Sequence, residues 1–347
     1  MGITETQTDI RKLSLDQLQA EIEQLGERPF RAQQIYEWLW EKSCTSFDEM
    51  TNLSKSLRDT LKDYYTIKPV VIDDKQQSQD GTIKFKFKLH DGHNVEGVLI
   101  PTEERWTACI SSQIGCSLSC NFCATGLLDL KRNLTCAEIY DQVVLISNES
   151  LAQYNHPLTN IVYMGMGEPL LNYKNVLASV DRLTAENGLN MSPKRITVST
   201  VGIAKMIRQL GDDNVRFNLA LSLHAPTNDK RSEIMAINNT NDIDTLVDAL
   251  NYFYRCTGNK LTFEYILFDR YNDTMDDARD LVKLCQRVPA LVNVIEYNNV
   301  DGLPFSKAET EQREQFIGYL EDHDIVAKVR RSRGKDIDAA CGQLANK

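Results

Sequence analysis

The chain has 347 residues, a net charge of −10 and a pI near 5.1; that balance gives no bulk attraction for nucleic acid and confines any RNA contact to local basic strips. Hydrophobic residues make up 42% and charged residues 25%, the composition of a globular chain with one large domain and room for a small accessory one. There is no long uncharged apolar run to span a bilayer and no signal-type N-terminus, so a membrane partner is not expected and the expected compartment is the cytoplasm.

Residues 1–65 read as short helices. Ser14 and Gln17 fit a capping box ahead of Leu15, Leu18, Ile22 and Leu25, and Gly26 stops that run. Pro29 stands where a second helix can start, with Ala32, Ile35, Tyr36, Leu39 and Trp40 on its inner side, and Leu53, Leu57 and Leu61 mark a third. From 66 to 100 the period drops to two. Ile83, Phe85, Phe87 and Leu89 alternate with Lys84, Lys86 and Lys88, and Asp91-Gly92 supplies a turn. A short β-hairpin linker is expected here, its basic face either a solvated strand face or a phosphate contact.

Residues 101–334 alternate strand and helix. Apolar, β-rich runs lie at Thr107–Ile110, Ile161–Met164, Ile196–Ser199, Phe217–Leu223, Leu261–Leu267, Val292–Tyr297 and Val326–Val329. Helical patterns separate most of them, at Ala137–Ile146, Tyr173–Leu183, Ile243–Tyr254, Met275–Gln286 and Thr310–Glu321. The fold class is α/β with parallel βα units. A full or partial (β/α) barrel and an open doubly wound sheet both fit. Residues 335–347 form a tail.

Nine cysteines are many for a reducing compartment, and an odd number does not make a complete disulfide framework. Cys116, Cys120 and Cys123 crowd onto one loop after the first strand of the βα series, where three thiolates can surround one metal centre. An iron–sulfur cube held by three ligands keeps one iron open for a substrate molecule. The rivals are plain buried thiols and a zinc site with Cys109 or Cys136 as fourth ligand, although structural zinc sites favour paired C-x-x-C knuckles and a single such pair is present. Gly165-x-Gly167 is not a dinucleotide fingerprint, because Leu170 occupies the place of the third glycine.

The spacing C-x-x-x-C-x-x-C with Phe122 before its last cysteine resembles the radical S-adenosylmethionine (SAM) signature. The resemblance extends along nearly the whole chain to the RlmN family, through Phe47-Asp-Glu-Met-Thr-Asn-Leu53, Cys109-Ile-Ser-Ser-Gln-Ile-Gly-Cys116, Met164-Gly-Met-Gly-Glu-Pro-Leu-Leu-Asn172, Arg195-Ile-Thr-Val-Ser-Thr200, Leu221-Ser-Leu-His-Ala-Pro226 and Asp336-Ile-Asp-Ala-Ala-Cys-Gly-Gln-Leu344. It implies a partial (β/α) radical-SAM barrel, a [4Fe-4S] cluster on Cys116, Cys120 and Cys123, and SAM held by Gly167, Glu168, Ser199, Ser222, Leu223, His224 and Asn298. It implies methylation of adenine carbon-2 in 23S rRNA near the peptidyl transferase centre and in tRNA next to the anticodon, with electrons from a flavodoxin-type reductant and a monomeric enzyme.

By the same resemblance, Cys341 accepts a methyl group that becomes the link to the adenine, Glu96 in Val95-Glu-Gly-Val-Leu-Ile-Pro101 takes the carbon-2 proton, and Cys109 attacks the sulfur of Cys341 through a transient disulfide. The small neighbours Ala340 and Gly342 suggest a mobile tail. Three places depart from the family pattern: Asp129-Leu130, Glu296 and Ala236. Basic strips at Lys84/Lys86/Lys88, Lys131-Arg132 and Lys328-x-Arg330-Arg331-x-Arg333 are candidate RNA contacts, and the N-terminal helices with the hairpin are the expected RNA-gripping module. A related Cfr-type carbon-8 methyltransferase and a zinc-stabilised, non-catalytic RNA-binding protein are the alternatives.

Overall fold

The computed structural model describes residues 7–346. Three helices open the chain: α1 (Leu15–Gln24), α2 (Phe30–Trp40) and α3 (Lys55–Tyr64). The capping box of Ser14 and Gln17 is present, and Ser54 caps α3 through the Leu57 amide. Leu18, Ile22, Ile35, Leu39, Leu57 and Leu61 bury the inner faces. This unit does not stand alone. Trp40 meets Tyr140 edge-on at 5.2 Å, and the buried Arg11 pairs with Asp141 at 2.8 Å and Asp9 at 3.1 Å. One contiguous apolar cluster runs from Ile10 through the main domain to Leu344. Cutting before Thr66 would therefore open the shared core, so RNA gripping is better tested by exposed substitutions such as Phe30 or Tyr64.

The segment expected as a hairpin linker is part of the main sheet. β1 (Val71–Gln77), β2 (Ile83–Lys88) and β3 (Asn94–Pro101) pair antiparallel, and β3 pairs antiparallel with β4 (Trp106–Cys109). Parallel βα units then follow: α4 (Cys136–Tyr154), β5 (Asn160–Tyr163), α5 (Tyr173–Thr184), β6 (Ile196–Thr200), α6 (Ala204–Asp212), β7 (Asn218–Ser222), α7 (Asn228–Ile234), α8 (Ile243–Thr257), β8 (Leu261–Leu267), α9 (Met275–Cys285), β9 (Ala290–Glu296), α10 (Thr310–Glu321) and β10 (Ala327–Arg330). The ten strands lie side by side in chain order, and β4 to β10 are parallel. Crossover helices cover such strands on their outer face while side chains fill the inner one. β8 is buried at every position, although it carries Thr262 and Glu264 among its apolar residues.

Barrel and open sheet are told apart by contacts between strands far apart in the sheet. Arg330, at the end of β10, donates to the Met164 sulfur just past β5 at 3.1 Å. Beyond β10, the Gly334 amide donates to Asp80, and Asp336 accepts from the Ser78 hydroxyl and the Gln79 amide, all in the β1–β2 turn region. The sheet is curled, and the chain end bridges its open side. The architecture is the partial barrel with an N-terminal helical region. Among the described residues, no helix is long and apolar enough to cross a membrane.

Candidate active site

The site lies at the carboxyl ends of the parallel strands, where barrel folds place their chemistry. A cavity of about 140 Å³ is walled by Cys116, Cys120 and Cys123 from the loop after β4, Gly167 and Glu168 after β5, Ser199 from β6, Ser222 and His224 at the end of β7, and Arg330 and Cys341. Glu264 and Ile266 of β8 complete the wall.

Backbone constraints shape the cysteine loop. Gly115 has φ +73°, and a Cβ there would come within 2.1 Å of the Asp129 carbonyl. The Cys116 amide donates to the Leu128 carbonyl and the Lys131 amide to the Ile114 carbonyl, so residues 113–116 and 128–131 zip together. Asp129 and Leu130 turn their side chains to solvent. Their departure from the family pattern therefore leaves this backbone arrangement intact. Ala236 is likewise exposed, at the start of the short turn Ala236–Asn239.

All three loop thiols are free. Burial pushes each one up, and for Cys120 the adjacent Cys123 and Cys116 add to it. Ionising them together requires a cationic centre in the cavity. Among the described residues, no three His, Cys, Asp or Glu side chains converge on one point as a mononuclear ion demands. A cubane makes a different demand, each thiolate taking its own iron, and a thiol-lined cavity meets it. The thiols named as fourth zinc ligands face other groups. Cys136 lies beside Arg182 and Arg11, and Cys109 beside Cys341 and Arg330.

Gly167 has φ +93° and lies so close to Gln113 that a Cβ would stand 2.4 Å from that side chain. The same Gln113 accepts the Glu168 amide at 2.8 Å. Glu168 accepts the amides of Leu170 and Val201, both at 2.9 Å, and burial raises its carboxyl to about 7. His224 takes a left-handed φ of 57°, and its Nδ1 accepts the Ile266 amide at 3.2 Å. Burial, reinforced by Arg231, lowers its pKa to about 3, so the neutral ring carries its proton on Nε2. Phe122 packs edge-on against it at 4.7 Å.

Two residues of the expected SAM site sit differently. The Leu223 side chain belongs to the core, and only its backbone faces the site, its carbonyl accepting from Arg231 Nε. Asn298 is off the cavity wall and instead ties the Cys341 carbonyl at 3.4 Å. Cys109 is buried behind the wall. Its thiol is pushed up to about 12 by burial and then by the neighbouring Cys341, while Arg330 opposes the rise.

The tail carrying Cys341 is anchored in this structure. Ala124 donates to the Gly342 carbonyl at 2.8 Å and Thr125 to the Leu344 carbonyl at 2.6 Å. Glu96 Oε2 accepts the amides of Ala345 and Asn346 at 2.8 and 3.1 Å. Glu296, the unusual residue at the end of β9, pairs with Arg313 at 2.6 Å, Lys335 at 2.9 Å and Lys307 at 3.1 Å, joining α10 to the root of the tail. Burial alone would raise its carboxyl, but Lys335 and Lys307 bring it down to about 2 from the ordinary 4.5. A lowered carboxyl stabilises the fold above its unfolded value, and that contribution is lost as pH falls from 4.5 toward 2. Glu296→Gln should therefore lose less stability than the parent between those pH values in urea unfolding.

Charged side chains beyond the expected site residues also help to build the site. Arg231 on α7 is buried and donates to the carbonyls of Leu223, Val201 and Ser222, fixing the ends of β6 and β7. Arg330 and Glu264 face the cavity, 3.6 Å apart. The basic strips also divide. Lys84 and Arg330 turn inward, and Arg132 is held by Asp91 and Glu138. Lys88, Lys131, Lys328, Arg331 and Arg333 remain exposed.

Residues 8–67 match the ribosomal RNA large subunit methyltransferase N-terminal domain, and residues 110–285 match the radical SAM superfamily. A protein of Cytophaga hutchinsonii, described as a probable dual-specificity RNA methyltransferase RlmN, is 56% identical over 338 residues, covering 97% of this chain and 93% of its own. The chain belongs to the RlmN family of radical SAM methyltransferases. The dual-specificity RNA methyltransferase RlmN 2 of Myxococcus xanthus is 45% identical, with 98% of this chain and 91% of that protein covered. The crystal structure of a radical SAM methyltransferase from Sphaerobacter thermophilus superposes with a TM-score of 0.92 at 38% identity, over 98% of this chain and 100% of that one. A radical SAM enzyme works with a [4Fe-4S] cluster and SAM, and the thiol-lined cavity of this RlmN-family protein fits that pair.

Proposed function

We propose that this protein methylates carbon-2 of adenine in 23S rRNA and in tRNA next to the anticodon. The observation that carries the reading is the return of Cys341, from the far end of the chain, to the wall already lined by Cys116, Cys120 and Cys123. A cofactor-cleaving enzyme acting on a small molecule has no need for that fourth thiol.

Cys116, Cys120 and Cys123 would hold the cluster, and Gly167, Glu168, Ser199, Ser222 and His224 would line the SAM site. When bound, this pair would supply a methyl group and a one-electron cleavage of the sulfonium, and would take back one electron once the adenine has been joined and has lost its carbon-2 proton. The remaining work falls to the chain. Cys341 carries the methyl carbon and becomes covalently joined to the adenine. Glu96 takes the carbon-2 proton. Cys109 attacks the Cys341 sulfur, so that a sulfur–sulfur bond forms as the sulfur–carbon bond breaks, and the carbon leaves with the electron pair and is protonated. The disulfide is then reduced, and a flavodoxin-type donor feeds the electrons.

Lys88, Lys131, Lys328, Arg331 and Arg333 are exposed cations suited to phosphates. The target base must also be unstacked to present its carbon-2 edge. The enzyme is read as a cytoplasmic monomer. Anaerobic reconstitution with iron and sulfide, followed by incubation with SAM, reductant and each RNA, tests the proposal. Mass spectrometry should find the new methyl on adenine carbon-2. A methyl on carbon-8 would assign the Cfr-type reaction, and colourless zinc-loaded protein without methylation would overturn the enzyme reading.

A further inference from the structure

The alternation of Lys84, Lys86 and Lys88 on β2 gives no reason to treat the three differently, but the fold grades them. Lys88 is exposed, Lys86 is half-buried and Lys84 is 5% exposed. A lysine that deep needs a partner. The partner is Glu96 on β3: Lys84 Nζ lies 3.7 Å from Glu96 Oε1, and the carboxylate side chain is 1% exposed. In the β2–β3 register Lys84 stands opposite Val98 and Lys86 opposite Glu96, so Lys84 and Glu96 are diagonal neighbours on one face.

The two carboxylate oxygens have different surroundings. Oε2 is committed to the amides of Ala345 and Asn346. Oε1 is buried and accepts no hydrogen bond, the Lys84 ammonium being close enough for charge attraction but too far to cap it. The arrangement fixes the carboxylate between the tail amides and the ammonium and leaves one oxygen uncommitted.

We infer that Lys84 is the positioning residue that orients the Glu96 carboxylate, leaving Oε1 as the uncommitted oxygen that takes the proton of adenine carbon-2. The inference rests on the role of Glu96 proposed above. In that step the carbon–hydrogen bond breaks, an O–H bond forms at Oε1, and the electron pair stays with the purine.

The test compares Lys84→Met, Lys84→Arg and Glu96→Gln holoenzymes with the parent. Three quantities are read: methyl on Cys341, RNA cross-linked to protein, and free product. Lys84→Met should keep its methyl on Cys341, accumulate cross-linked RNA and form product about tenfold to a hundredfold more slowly, within what a positioned base contributes. Lys84→Arg, which keeps the charge, should restore product. Parent-like turnover in Lys84→Met, equal impairment of Lys84→Arg, or loss of methyl from Cys341 in Lys84→Met would each overturn the inference. Failure of Glu96→Gln to accumulate cross-linked RNA would instead remove the role of Glu96 itself.

Discussion

Cys341→Ala should reduce RNA methylation to background while leaving the cluster and SAM binding in place. The reason is geometric. Cys341 is held through its main chain, its carbonyl accepting from Asn298 and the next carbonyl, of Gly342, accepting from Ala124. Alanine preserves both bonds and removes only the sulfur. No other thiol can substitute, because Cys116, Cys120 and Cys123 are committed as cluster ligands in this reading and Cys109 lies behind the wall. A carbon–carbon bond to an electron-poor ring position needs the methyl carbon held covalently within reach, and nucleophilic catalysis of that kind is lost wholly with its nucleophile. Mass spectrometry of the tail peptide and labelled-methyl transfer to RNA measure the two halves. Normal transfer by the alanine variant would sink the proposed chemistry.

Cys109→Ala should behave in the opposite way, accumulating an intermediate rather than failing to start. Cys109 ends β4 with Cys341 and Arg330 near enough to act on its charge, and in the proposed reading it is the thiol that attacks the Cys341 sulfur. Burial, and then Cys341, push its thiol up to about 12, while Arg330 opposes the rise. Alanine at this position leaves a void of one sulfur atom, costing on the order of 1 kcal/mol, with the β4 ladder unchanged. Cys341 should still be methylated and the adenine still captured. Free product should then fall by about a hundredfold or more, since the nucleophile of the release step is gone. Denaturing gels should show RNA shifted by covalently attached protein. Release of free product at the parental rate would refute the resolving role.

The cysteines of the site differ in how plainly the amino-acid sequence marks them. Cys116, Cys120 and Cys123 stand out by spacing, because ligands on one loop need only a few residues of chain to surround a centre. Cys341 and Cys109 are ordinary scattered thiols in that sense, a late cysteine among small residues and a cysteine at the end of an apolar run. Resemblance to the RlmN family alone singles them out. Arg231 escapes notice because a charged residue on a short helix looks like solvated surface, although its guanidinium is the buried clasp of three loop carbonyls.

The order of strands and helices, the capping box of Ser14 and the thiol trio were determined by the sequence itself. Each depends on hydrogen-bond periodicity or ligand spacing within a dozen residues, which the chain carries locally. The partial barrel was implied by the family resemblance, and only the tertiary structure decided that residues 66–100 join its sheet and that the tail docks through Glu96 and Glu296. It alone separated Lys84 from Lys88 and turned Arg330 inward. These outcomes depend on which remote segment covers a given charge. Burial without a partner costs several kcal/mol, so the pairing of Lys84 with Glu96 exists only where curvature and the returning tail exclude water from both.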